Sequence, residues 1–293
     1  MSTVFQDKEK KMTSQLKTGL LLALLSGIIL FLGQFLGGST GLGIAFVFAL
    51  FMNVGSYWFS DTIVLRIYKA RELSPSEAPM LHRMVEELAR EANIPKPRVC
   101  LIPDEAPNAF ATGRNPQNAV VAVTEGIVRL LSPDELRGVL AHEMGHILNR
   151  DILIQSVAGV LASVIMVAAN LMQWGAIFGM GRSDEEGGGN IFASLLIAFL
   201  APVAASLIQF AISRSREYLA DATGAKLCGN PLALASALGK LNAYSKQIPM
   251  HEGNPATAHM FIINPFAGAN VAKLFTTHPP VEDRIARLRA MSV

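Results

Sequence analysis

The chain has 293 residues, 51% hydrophobic and 16% charged, with 25 lysines and arginines against 23 acids for a net charge of +2. So apolar a composition excludes a purely soluble domain, and the even charge, with no basic groove interleaved with aromatics, argues against a nucleic-acid partner. Cys100 and Cys228 lack any ligand spacing and read as small buried hydrophobes in a reducing compartment.

The first elements are two uncharged apolar stretches, from about Gly19 to Leu36 and from about Leu42 to Phe59. Each is near the roughly 20 residues needed to cross a bilayer core. The link Gly37-Gly38-Ser39-Thr40-Gly41 is short, so the pair is expected to form a transmembrane hairpin. Lys8, Lys10, Lys11 and Lys17 precede it and Arg66, Lys69 and Arg71 follow it, which by the positive-inside rule places both flanks in the cytoplasm. An uncleaved anchor fits better than a secretory signal, because the apolar run is too long for a signal core and a second run follows at once.

From about Ser76 to Asn93, Leu81, Met84, Val85 and Leu88 recur at helical spacing and predict an amphipathic helix. Arg98 to Ile102, Ala109 to Thr112 and Ala119 to Thr124 then read as short strands, punctuated by Pro103, Pro107, Gly113, Asn115 and Pro116. The stretch Asn108, Ala109, Phe110, Ala111, Thr112 and Gly113 reads either as an edge strand that pairs with an extended substrate or as a plain core strand.

Ser132-Pro133-Asp134-Glu135 is a helix start, with Ser132 as cap, Pro133 at the first helical position and Glu135 closing a capping box. Inside that helix stands His142-Glu143-Met144-Gly145-His146. Positions i and i+4 share a helix face, so both imidazoles can converge on one metal ion while Glu143 reaches a water beside it. Zinc is the expected ion, because it suits imidazole nitrogen and leaves a coordination position open when the protein supplies three ligands. Incidental histidines on a solvated helix are the competing reading. The capping box and the apolar Leu136, Val139, Leu140, Met144 and Ile147 weigh against it.

Two more apolar stretches, from about Ile152 to Trp174 and from about Ile191 to Ile212, flank the acidic, glycine-rich loop from Gly181 to Gly189. A second hairpin is expected, with a pair of buried helices as the alternative. Arg150 before it, and Arg214 and Arg216 after it, return the chain to the cytoplasm. The continuation HExxHxxGxxH fails at Ile152, so the third ligand is sought in a later carboxylate. In Ser213-Arg214-Ser215-Arg216-Glu217-Tyr218-Leu219-Ala220-Asp221, Glu217 and Asp221 share a helix face. Glu217 is the candidate ligand and Asp221 the acceptor for the free ring N–H of a ligating histidine. The competing reading is a charged helix end leaving the membrane, with Arg214 and Arg216 at headgroups and Glu217 paired to them.

His-Glu-Met-Gly-His, the Ser-Arg-Ser-Arg-Glu-Tyr-x-Ala-Asp run, Asn-Ala-Phe-Ala-Thr-Gly, and the late Thr277-His278-Pro279-Pro280 with Arg284 together resemble the HtpX family of membrane zinc metallopeptidases. The likeness spans nearly the whole chain. That family is related to the CAAX prenyl endopeptidases and is associated with protein quality control and envelope stress at the bacterial inner membrane. The resemblance implies a gluzincin fold, zinc on His142, His146 and Glu217, and a catalytic domain facing the cytoplasm. It also implies a role near the site for His278 and Arg284. The chemistry of peptide hydrolysis then makes His278 an oxyanion donor or resting-state zinc ligand, with a helix-start residue before Pro279 as the competing reading, and Arg284 a group that orients substrate or an active-site carboxylate.

The expected architecture is therefore mainly α with a small β-sheet (α+β), a gluzincin-type zinc protease domain joined to two transmembrane helical hairpins. Residues 1–60 hold the tail and first hairpin, 61–151 the first half of the protease domain, 152–212 the second hairpin and 213–293 the second half. The expected activity is a zinc endopeptidase acting on damaged or misfolded membrane proteins, with the lipid bilayer as its setting. An intramembrane site-2-type protease is disfavoured because Arg137, Asn149, Arg150 and Asp151 crowd the motif, and a metal transporter or scaffold because the apolar stretches carry almost no ionisable residues.

Overall fold

The computed structural model describes residues 2–177, 213–245, 247–250, 255–265 and 278–291. Helix α1 (Ser2–Ile67) is two helices merged across a break at Gly38, whose φ of 56° suits a residue without a Cβ. Across that break Asn53 Nδ2 donates to Ser26 Oγ at 2.9 Å, so the two halves lie side by side. Leu16–Phe35 and Gly37–Trp58 are each long and apolar enough to cross a bilayer. Phe31, Phe35, Ile44, Phe46 and Phe51 project outward from them.

The chain then enters a small mixed sheet of β1 (Arg71–Glu72), β2 (Arg98–Ile102), β3 (Ala109–Thr112) and β4 (Val120–Thr124), ordered β1-β2-β4-β3. β2 and β4 run parallel, and both outer pairings are antiparallel. The three longer strands fall where β-branched and aromatic runs predict them. β1, at two residues, and α3 (Glu125–Leu130), at six, are too short for a periodic signal and were not foreseen.

Helix α4 (Pro133–Leu148) opens with the expected capping box: Ser132 accepts from the Glu135 amide while the Glu135 carboxylate accepts from the Ser132 amide. The amphipathic α2 (Pro79–Glu91) buries Leu81, Val85 and Leu88 in the same core as Leu136, Val139 and Leu140 of α4. Leu234, Leu238 and Leu241 of α7 (Pro231–Ser245) fill its other side. Leu140 is completely buried, and truncation to alanine there is expected to cost about 2–5 kcal/mol. α6 (Arg214–Cys228) lies along α4, and α8 (Val281–Arg289) closes the bundle against α7.

After α4 the chain turns by 90° into α5 (Ile152–Ile177), which packs Ile154, Val157, Ala158 and Leu161 on Leu21 and Leu25 of α1. The rest of the expected second hairpin lies outside the described residues. A third cluster joins α1 to the sheet through Tyr68, Phe110 and Phe261, whose rings meet edge-on at 5.0 and 5.1 Å for the two contacts of Phe261. Cys100 is buried as expected, but Cys228 sits at the end of α6 and is only half-buried; both are free thiols.

Candidate metal centre

The site is built where α4 and α6 touch backbone to backbone. A Cβ on Gly224 would stand 2.6 Å from the His142 amide nitrogen, and one on Gly145 would stand 2.9 Å from the Ala220 carbonyl oxygen. Glycine at these two positions lets the helices approach closely enough for Glu217, one turn into α6, to face the His142–His146 side of α4. One ligand atom from each of His142, His146 and Glu217 lies within 4.8 Å of the others, and all three residues are buried. His146 Nε2 is 3.4 Å from Glu217 Oε1, and His142 Nε2 is 3.9 Å from Glu217 Oε2.

Two of these buried atoms, His142 Nε2 and Glu217 Oε1, have no hydrogen-bond partner among the described residues. Buried polar atoms are seldom left so, and two imidazole nitrogens converging with one carboxylate form a donor set suited to a divalent metal. The residues fit the ion that the motif implies.

Behind the ligands stands a second layer. Asp221 Oδ1 accepts from His142 Nδ1 at 2.9 Å, which turns the lone pair of Nε2 toward Glu217. Arg284, completely buried, donates from Nε and Nη2 to the two Asp221 oxygens at 2.8 and 2.7 Å, and from Nη1 to the Ile262 carbonyl at 2.9 Å. His278 Nδ1 meets Glu217 Oε2 at 3.2 Å, and its Nε2 has no partner among the described residues. Asp151, which sequence reasoning passed over, places Oδ2 3.4 Å from His146 Nδ1 and Oδ1 3.0 Å from Arg216 Nη1. Arg216 is thus turned inward, its side chain 12% exposed, rather than toward a headgroup. The signal for Asp151 was its place just past the helix end, five residues after His146.

These contacts sort the charges. Burial drives His142 toward its neutral form against the pull of Asp221. Burial likewise pushes the Glu143 carboxyl up to about 7, with the nearby Glu217 charge adding to it. Among the described residues neither Glu143 oxygen has a hydrogen-bond partner of good geometry, although the Ala111 amide lies close enough to favour the charged form weakly. At Glu217 burial opposes ionisation, but His278, His146 and Arg284 outweigh it and hold the carboxyl well below the usual range. At Asp221, too, burial is overcome by the Arg284 guanidinium, which brings the carboxyl down to about 2.

β3 is the edge strand of the sheet and lies against α4, yet its four residues are fully buried. Ala109 gives its carbonyl to the Ile262 amide at 3.1 Å, and the Asn108 side chain donates to the Ile263 carbonyl at 2.7 Å. The beginning of the edge is therefore occupied by the chain itself. His82 donates from Nε2 to the Leu73 carbonyl and His259 from Nε2 to that of Gln155, both away from the centre; His251 lies outside the described residues.

Residues 75–292 match the model of peptidase family M48. The chain belongs to peptidase family M48. Within that family it is similar to the protease HtpX homolog of Syntrophobacter fumaroxidans, at 59% identity over 96% of this chain and 100% of the relative, and to that of Pyrococcus furiosus, at 58% over 94% and 96%. The crystal structure of S. mikatae Ste24p aligns at a TM-score of 0.48 and 21% identity, covering 96% of this chain and 66% of that one. An M48 member with two bilayer-length apolar helices is a membrane-associated metalloprotease, and His142, His146 and Glu217 are the cluster among the described residues that could hold its metal ion.

Proposed function

We propose that the protein is a zinc-dependent endopeptidase anchored by two transmembrane hairpins, with its gluzincin-type catalytic domain in the cytoplasm, cleaving damaged or misfolded membrane proteins. The observation that carries this reading is the convergence of His142, His146 and Glu217 with a buried Glu143 beside them that has no hydrogen-bond partner among the described residues. The basic residues flanking the apolar stretches support the cytoplasmic orientation, and the HtpX likeness supports an inner-membrane quality-control role. The same pattern supports reading 1–60 and 152–212 as membrane parts and 61–151 with 213–293 as the two halves of one protease domain.

Zinc held by the three ligands would supply Lewis-acid polarisation of the scissile carbonyl and make a water acidic at neutral pH. Glu143 then takes the proton of the attacking water and passes it to the leaving amine, a task suited to a carboxyl poised near 7. Asp221 holds His142 in the tautomer that presents Nε2, and Arg284 holds Asp221; Arg284 thus orients an active-site carboxylate and is itself shut off from substrate. His278, docked on Glu217 through Nδ1, keeps Nε2 for the developing oxyanion, in keeping with a donor role. Strand alternation turns Ala111 outward as it does Ala109, so an extended substrate beside β3 has Ala111 to pair with once Ile262 has claimed Ala109.

An intramembrane protease is the weaker reading, because α4 is enclosed by α2, β3, α6 and α7 rather than by lipid. Glu143→Gln is the direct test, scored on a model membrane protein in proteoliposomes together with metal content. Loss of cleavage by at least about 10²-fold with zinc retained is expected; unchanged cleavage removes Glu143 from the mechanism.

A further inference from the structure

We propose that Asp151 and Arg216 form a positioning pair for the second histidine ligand, the counterpart of Asp221 and Arg284 at the first; the inference rests on the metal-centre reading above. α4 ends in a Schellman turn: the Arg150 amide donates to the Ile147 carbonyl at 3.2 Å and the Asp151 amide to the His146 carbonyl at 3.0 Å. Arg150 takes the left-handed position of that turn, with φ of 61°, where glycine is usual. Such a turn lays the residue two beyond the cap against the one three positions before it, ordinarily as an apolar contact. Here those two residues are Asp151 and His146, so a carboxylate meets an imidazole instead.

The side chain is 5% exposed, with Oδ2 3.4 Å from His146 Nδ1 and Oδ1 3.0 Å from Arg216 Nη1, the latter an ion pair rather than an aligned hydrogen bond. Holding Nδ1 in this way aims Nε2 of His146 at Glu217. Arg216 directly precedes Glu217 in the first turn of α6, so one carboxylate ties a histidine of α4 to the helix that supplies the third ligand. Asp151 and Arg216 also bracket the stretch 152–212 in the sequence. The pair therefore clasps together the two points where the protease chain is interrupted, at the metal centre itself. The contacts at 3.4 and 3.0 Å are longer than the 2.9 and 2.7 Å of the Asp221 and Arg284 pair, so its effect is expected to be the smaller of the two.

The test uses the full-length protein in detergent, comparing wild type with Asp151→Ala, Asp151→Asn, Arg216→Met and Asp221→Ala. Zinc affinity is read by competition with a chromophoric chelator, and thermal unfolding is read on the metal-free proteins. Asp151→Ala should weaken zinc binding by roughly 10- to 100-fold, Arg216→Met by less, with Asp151→Asn between wild type and alanine and Asp221→Ala the most affected. The metal-free midpoints of the Asp151 and Arg216 variants should fall, since each leaves a buried charge without its partner, but zinc affinity should fall by more than that destabilisation accounts for. Unchanged zinc affinity in Asp151→Ala, or a loss matched by an equally destabilised metal-free protein, would overturn the proposal. Should Asp151→Ala not fold, Asp151→Asn and Arg216→Met carry the same decision. A wild type that binds no zinc would instead remove the metal-centre reading on which the pair depends.

Discussion

The N-terminal helix pair and the α4–α6 pair solve the same packing problem in opposite surroundings. Both use glycine to bring backbones together: a Cβ at Gly33 would collide with Ala45 and the Gly41 carbonyl, as one at Gly224 would with His142. Their faces are inverted. The N-terminal pair turns Phe31, Phe35, Phe46 and Phe51 outward and keeps the Ser26–Asn53 hydrogen bond between its helices. The α4–α6 pair instead encloses His142, Glu143, His146, Glu217 and Asp221. Small residues fix how near two helices come; what surrounds the pair fixes which side chains may face outward. Buried charge is tolerable in the second pair because Asp221 is partnered, Glu217 converges with the histidines on the metal position, and burial favours the neutral form of Glu143.

The sharpest way to break that inverted pattern is to remove Arg284, the cation that neutralises the buried Asp221. Arg284→Met leaves Asp221 charged and unpaired, and a loss of about 3–5 kcal/mol is expected by thermal or denaturant unfolding. A smaller loss would mean that Asp221 takes up a proton or reaches water. Next, Phe46→Asp should hinder membrane insertion by about 2.5–3.5 kcal/mol, seen as a reduced fraction resistant to alkaline extraction. The same change at the exposed Val128 of the protease domain should leave insertion unaltered, and equal behaviour of the two would erase the contrast between the regions.

Gly224→Ala tests the shared packing device, since its methyl meets backbone that cannot swing aside; about 1–3 kcal/mol of destabilisation and weaker zinc binding should accompany it. Binding at wild-type strength would show that α6 can slide without moving Glu217. The smallest effect is expected at the outer end of α4, where Lys240 and Ser236 reach Glu135 at 2.7 Å each. Burial there favours the neutral acid, but these partners and the Ser132 amide bring Glu135 down to about 2. A folded value below the unfolded one of about 4.3 stabilises above that pH and is lost as the pH falls toward 2. Lys240→Met should therefore cost about 1 kcal/mol at neutral pH, modest because the lysine is 43% exposed, and the gap from wild type should close under acid.

Much of the centre was legible because its parts follow local rules. The capping box, the i and i+4 histidines, and the later i and i+4 carboxylates are short-range patterns, and each lies on the helix that its pattern predicts. The three longer strands carried their own composition signal. Asp151 was harder to read, since beside Asn149 and Arg150 it looked like polar punctuation between two helices. Its meaning depends on a turn that folds it back over His146 and on an arginine 65 positions later in the chain. The closing of the β3 edge by Ile262 and Ile263 was invisible for the same reason: a hydrogen bond from a distant backbone amide leaves no trace in side-chain pattern.

The sequence by itself determined the chemistry and its carriers, because metal ligation demands particular side chains and helix periodicity puts them on one face. Only the tertiary structure decided how far apart those carriers stand and which groups lie behind them. The approach of α4 to α6 depends on glycines at positions 145 and 224 finding backbone opposite them, and the orientation of Arg284 depends on Asp221 and Ile262 arriving from separate parts of the chain. Such distances arise from packing between segments remote in sequence, and periodicity within a segment does not encode them.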